Sequence, residues 1–220
     1  MQNSVIAKAR LNSTNDLSKV KDWLNQVYAE VCVELEANIT TTTMTLTSGT
    51  ASYTLDASIS RIKEMFVTPV NGVLTGPIEL TTLDYIIRKR QAAGGVPTAT
   101  GYVTHYALLG INDFEVYPTP QAADVLTIWC VKLPTALSGN TDVPILQEPF
   151  ASKLLEYGAL AEAADFKGDP SEQEYRQLFE TWKQRYRSHL TRKRGGQPGQ
   201  FNMFPGRNYP PHDPSMDTGR

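Results

Sequence analysis

Phe150-Ala151-Ser152-Lys153-Leu154-Leu155-Glu156-Tyr157-Gly158-Ala159-Leu160-Ala161-Glu162-Ala163-Ala164, followed by Lys167-Gly168-Asp169-Pro170-Ser171-Glu172, is the stretch on which the fold turns. Phe150, Leu154, Tyr157, Leu160, Ala161 and Ala164 recur at helical spacing, and Gly158, Ala159 and Ala163 are small enough to let a neighbouring helix come close. Gly168 ends this helix. Asp169-Pro170-Ser171-Glu172 then supplies the N-cap acceptor, first-turn proline and reciprocal glutamate of a new start. Tyr175, Leu178, Phe179, Trp182, Tyr186 and Leu190 carry the apolar stripe of that last helix. So short a link forces the two helices into an antiparallel hairpin.

Moving toward the N-terminus, Leu17, Val20, Leu24, Val27, Val31 and Leu35 recur at steps of three and four, widened by Trp23 and Tyr28, which predicts one amphipathic helix from Asn15 to about Ala37. Asn15 or Asp16 offers its first turn a side-chain acceptor. After Asn38 the period changes to two. Thr43 to Thr47 and Ala51 to Leu55 flank Ser48-Gly49-Thr50 and read as a hairpin. Arg61 to Thr68, Tyr102 to Leu109, Asp113 to Tyr117 and Val125 to Leu133 read as further strands, interrupted by a short helix over Thr82 to Arg90 that stops before Gly94-Gly95. The expected fold is α+β: an antiparallel helical bundle of three long helices with an inserted antiparallel β domain and extended N- and C-terminal arms. Its divisions are an arm over 1–14, the bundle over 15–37 and 144–194, the β-rich insert with its one short helix over 38–143, and the tail over 195–220.

The tail loses all periodicity yet holds Phe201, Met203, Phe204 and Tyr209. Without a core of its own it cannot bury them, so they are candidates for docking on another subunit or another protein.

With 21 Lys+Arg against 23 Asp+Glu, the formal charge of -2 argues against a dedicated nucleic-acid binder. Cys32 and Cys130, far apart and set among apolar neighbours, fit buried free thiols in a reducing compartment. The first residues lack a basic segment followed by an apolar one, and the longest apolar run, around Val125 to Val131, is too short to span a bilayer. The expectation is a protein made in the cytosol with no membrane segment.

No phosphate-binding glycine loop, dinucleotide fingerprint, His-Glu-x-x-His or Cys-x-x-Cys occurs. His105, His189 and His212 have no second histidine at ligand spacing, so neither catalytic nor metal residues are assigned, and no cofactor is expected. Glu30 and Glu34, with Glu36, Asp16 and Asp22, give the first long helix an acidic face. Such a face is either simply solvated, or an acid/base pair acting on a glycan, or the lining of a channel along which a polyanion does not stick. From Lys183 through Arg185, Arg187, Arg192 and Lys193 to Arg194 runs a basic segment with no intervening acid. Helix capping accounts for part of it. The remainder suits an acidic protein surface ahead of nucleic acid.

Three phrases add a resemblance. Asp113-Phe114-Glu115-Val116-Tyr117-Pro118-Thr119-Pro120, the strand Leu126-Thr127-Ile128-Trp129-Cys130-Val131 ending at Leu133-Pro134, and Asp142-Val143-Pro144 opening the helix of Phe150 to Ala163 are similar to segments of the head-to-tail adaptor (connector) proteins of tailed bacteriophages. A looser match is Tyr175, Phe179 and Lys183, with Trp182 one position earlier. The likeness covers roughly residues 14 to 192. It implies a structural protein without a reaction: a homo-oligomeric ring, usually of twelve, beneath the portal protein at the head-tail junction of the virion. It also implies a tail nozzle or tail-tube protein below, DNA passing through the lumen, and assembly in the host cytoplasm. On this resemblance Arg192, Lys193, Arg194, Phe201, Met203, Phe204 and Tyr209 are the portal-binding candidates. Glu30 and Glu34 face the channel, and Asn71, Gly72, Gly94 and Gly95 mark loops toward the tail. The alternatives are a peptidoglycan-degrading virion enzyme using Glu30 and Glu34, and a nucleic-acid-binding module on the basic helix end.

Overall fold

A computed structural model describes residues 2–11, 16–69, 72, 76–92, 100–139 and 142–193. Within them the chain is α+β. Helices α1 (Gln2–Lys8), α2 (Leu17–Glu34), α3 (Leu83–Ala92), α4 (Phe150–Lys167) and α5 (Glu172–Lys193) accompany strands β1 (Ile39–Thr45), β2 (Ser52–Thr54), β3 (Ile59–Thr68), β4 (Glu79–Leu80), β5 (Thr100–Gly101), β6 (His105–Leu108), β7 (Asp113–Tyr117), β8 (Thr119–Pro120) and β9 (Val125–Lys132). The chain divides into two units, residues 1–183 and 184–220, and of the second only 184–193 are described.

In the first unit β9 is the centre of a three-stranded sheet A, order β1-β9-β3, both pairings antiparallel. Sheet B runs β2-β7-β6-β4, with β2, β7 and β6 antiparallel and the two-residue β4 parallel to β6. The short β5 and β8 form a parallel pair. Inward residues of both sheets, among them Met65, Val67, Ile128 and Cys130 from sheet A and Tyr106, Phe114 and Val116 from sheet B, close one core, as the period-two alternation requires.

The helices follow their stripes. Val20, Leu24, Val27, Tyr28, Val31 and Cys32 of α2 are buried, and α2 packs on α4. Gly168 takes the left-handed conformation at φ 64°, which a residue without Cβ adopts freely, and its N–H closes onto Asp165 O at 3.0 Å. Asp169 Oδ1 accepts from Ser171 N at 2.9 Å, holding the turn into α5, and this bond puts its carboxyl below the ordinary range. Thr82 Oγ1 accepts from Tyr85 N at 3.3 Å at the head of α3.

Five expectations are corrected. The hairpin over 43–55 does not form: β1 pairs with β9 over seven residues, and β2 pairs with β7, setting Tyr53 on Phe114. The insert is not wholly antiparallel, since β4 and β5 enter beside parallel neighbours. The first residues are not an extended arm: Gln2–Lys8 is helical, with Val5 and Ile6 buried and contacts to α2 and α4. Of the two expected caps, Asp16 stands at the N-cap of α2 without a side-chain cap bond, and Asn15 lies outside the described residues. Finally α4 starts at Phe150 and not at Pro144; before it, Asp142 Oδ2 accepts from Ser138 N at 2.7 Å and Gly139 N at 2.8 Å, fixing a loop instead.

Candidate functional site

With no reaction centre expected from the sequence, the helix junctions, charged contacts and exposed side chains of the described residues are the candidate site. At Gly158 of α4, side chains from α2 and α5 come close. A Cβ added at Gly158 would overlap Val27 Cγ1 and come within 3.2 Å of Phe179 Cε2, so glycine is what lets the three helices meet here. Phe150 and Trp182 add an edge-on ring contact at 6.2 Å between centroids.

One turn along α5, Lys183 Nζ reaches Glu34 Oε2 at 2.8 Å, Glu180 Oε1 at 2.8 Å and Glu30 Oε1 at 3.5 Å. Its side chain is 8% exposed, whereas those of Glu30 and Glu34 are 51% and 38% exposed. Burial works against its charge, but the bonds to Glu180 and Glu34 outweigh it and hold the ammonium above the ordinary lysine value. Lys183 of the basic segment and Glu30 and Glu34 of the acidic face, separate features of the sequence, come together in the structure. Of the three partners of Lys183, only Glu180, an i, i+3 acid on the same helix, had a signal in the sequence.

A second charged contact was missed altogether. Glu156 lies on the buried side of α4, where Lys8 Nζ donates to Oε1 at 2.8 Å and Ser4 Oγ donates to the same oxygen. Burial pushes the carboxyl up, and the bonds from Lys8 and Ser4 more than reverse this, leaving it below the ordinary range. Lys167 Nζ in turn donates to Ala9 O at 2.9 Å and Arg10 O at 3.1 Å, clasping the end of α1. At the far end of α2, Glu36 binds Arg61 at 3.0 Å and Lys63, linking the helix to β3.

Of the other expected residues, Gly72 closes a turn by donating to Pro69 O at 3.1 Å. Asn71, Gly94, Gly95, Arg194, Phe201, Met203, Phe204 and Tyr209 lie outside the described residues. In the second unit α5 continues to Arg192 and Lys193 in its last turn, with Tyr186 and His189 stacked at 6.3 Å. Exposed apolar side chains gather at the β6–β7 turn, where Leu108, Leu109 and Ile111 project, Ile111 with 95% of its surface open. The rigid turn behind them, in which Leu109 N donates to Asp113 O at 2.8 Å and Leu55 N to Asn112 O at 2.7 Å, gave no periodic signal in the sequence.

Among the described residues no group of three or more His, Cys, Asp or Glu side chains could hold a metal ion, and no helix is long and apolar enough to cross a membrane. Cys32 and Cys130 are free and buried, and burial pushes the Cys32 thiol up to about 12, which keeps it protonated. His105 Nε2 lies 3.5 Å from Glu79 Oε2 beside the Tyr85 ring. No match is found among curated proteins. Residues 3–207 match the model of a protein family described as SU10 adaptor protein.

Proposed function

Because the chain belongs to the SU10 adaptor protein family, a family of phage head-to-tail adaptors, we propose that it assembles as a ring beneath the portal and joins head to tail around the DNA channel. Family membership makes it a structural component of the virion at the head-tail junction. The match across residues 3–207 carries the reading. In it, α2, α4 and α5 form the bundle domain of 15–37 and 144–194, and 38–143 is the insert. The Gly158 junction supports this, since Val27 of α2 and Phe179 of α5 both lie against the bare backbone of α4 there.

The bundle packs laterally around a closed axis, where a repeated contact needs only modest affinity. Twelve copies are the proposed number. The tail of 195–220, led by Arg192, Lys193 and Arg194, reaches an acidic rim of the portal, and Phe201, Met203, Phe204 and Tyr209 fill its pockets. Glu30 and Glu34 face the channel, a role compatible with their partial exposure beside Lys183. The loops of Asn71, Gly72, Gly94 and Gly95 face a tail nozzle or tail-tube protein. DNA passes through the lumen without sequence-specific contact, and assembly occurs in the host cytoplasm.

Imaging of mature particles tests this reading: a twelvefold collar between head and tail is expected, and its absence refutes it. Particles carrying a chain without residues 195–220 are expected to lose portal attachment. Unchanged attachment removes the tail from the account. For the competing enzyme, Glu30→Gln is expected to make no difference in a peptidoglycan clearing assay, since the ring has no lytic activity to lose.

A further inference from the structure

The two edges of sheet A differ in kind. β3 carries Arg61, Lys63 and Glu64, breaks register with β9 twice, and is met near its end by Ile78, whose N–H donates to Met65 O at 2.9 Å. Sheet B ends in strands of three and two residues, β2 and β4. Charge, irregularity and shortness are how sheet edges avoid recruiting foreign strands. β1 has none of these protections: its seven residues, Ile-Thr-Thr-Thr-Thr-Met-Thr, pair with β9 without a shift and include no charge, proline or glycine.

Its outward groups can be assigned. Lys132 N donates to Asn38 O at 3.1 Å, and Leu46 N donates to Asp124 O at 2.8 Å, so the even-numbered positions are those hydrogen-bonded to β9. The N–H and C=O of Ile39, Thr41, Thr43 and Thr45 therefore point to the open edge, where they meet no backbone partner among the described residues. The side chains of Thr41, Thr43 and Thr45 are exposed as well.

We propose that β1 pairs edge to edge with β1 of a second copy, antiparallel about Thr42, giving a two-fold dimer of the unassembled protein. In that register Ile39 faces Thr45 and Thr41 faces Thr43 of the other copy. These are the residues with outward groups, so every one of them is satisfied. Thr42 faces its own counterpart, Thr40 faces Met44, and threonine pairs across strands are favourable. No charge opposes itself across the axis. The strand is only about 23 Å long at ~3.3 Å per residue, and the contact falls short of the roughly 1,200 Å² of a standard stable interface. The dimer is accordingly weak and populated at high concentration. A two-fold contact does not repeat around a ring axis, so it belongs to the protein before assembly and does not depend on the ring reading.

Sedimentation velocity of the full chain from about 10 μM to about 1 mM tests it, a span matched to weak association. Wild type is expected to shift from monomer toward dimer. Thr41→Lys/Thr43→Lys and Thr41→Glu/Thr43→Glu, which set like charges opposite each other, are expected to stay monomeric, and their equimolar mixture to dimerise again. Thr43→Pro removes one outward donor without touching the ladder to β9, and is expected to weaken the dimer at least tenfold with the fold intact by circular dichroism. A wild type that stays monomeric throughout overturns the proposal. So does association that the lysine variant retains, or a mixture that does not associate.

Discussion

Lys183 shows what one side chain contributes when its surroundings are worked out atom by atom. Its ammonium is nearly enclosed while Glu34 and Glu180, each 2.8 Å away, keep part of their hydration. Lys183→Met therefore leaves carboxylates that water still reaches, and the cost falls below the 3–5 kcal/mol of breaking a fully buried pair. The expected loss is about 1–2 kcal/mol, read as a fall in Tm of about 2–8 °C for a chain of this size. Adding Glu34→Gln to that variant is expected to return part of it, and no return would show that the carboxylate did not matter. Glu156 gives a pH dependence. Its folded carboxyl lies below the ordinary value near 4.3, so its contribution is complete above that pH and is lost as pH falls through the folded value. Urea titrations from about pH 6 down to about pH 3 are expected to show a stability loss that Glu156→Gln reduces. The paired Lys8, raised by its bond to Glu156, keeps its contribution below the ordinary lysine value near 10.4 and loses it as pH rises through the folded value.

At the scale of elements, the Gly158 junction makes a prediction opposite to helix propensity. Alanine is worth about 1 kcal/mol over glycine in an open helix, yet here its Cβ meets Val27. Gly158→Ala is expected to destabilise by about 1–3 kcal/mol, and Val27→Ala in the same chain to recover much of it, a coupling measurable in a double-mutant cycle. The long helices were legible because their stripes repeat, α2 and α5 lying within a few residues of where spacing put them, and the short β7 spans the expected Asp113–Tyr117. What was not legible depends on distant partners. β1 and β2 look like a hairpin because a turn joins them, while the residues they pair with lie far along the chain, as in Thr42↔Ile128 and Tyr53↔Phe114. α1 is a single seven-residue piece too short to show a period, and Glu156 reads as a surface charge until α1 is laid over it. Of the candidate site residues, Glu30 and Glu34 were legible as acids but not as partners of a buried lysine.

For the molecule as a whole, the position of β9 has a consequence during synthesis. Both neighbours of β9 in sheet A precede it by dozens of residues, since Ile39↔Val131 and Thr68↔Val125 are paired. On a growing nascent chain β1 and β3 must wait, with Met65 and Val67 uncovered, until the ribosome has released the strand that separates them. Such high contact order slows folding and exposes an aggregation-prone stage. A chain stopped at residue 124 is expected to lack a cooperative melt and to bind a hydrophobic dye, whereas one stopped at 193 is expected to melt as the full chain does. Translation therefore reaches Lys132 before the insert has a centre, and a holding chaperone would find its client in the interval before that residue emerges.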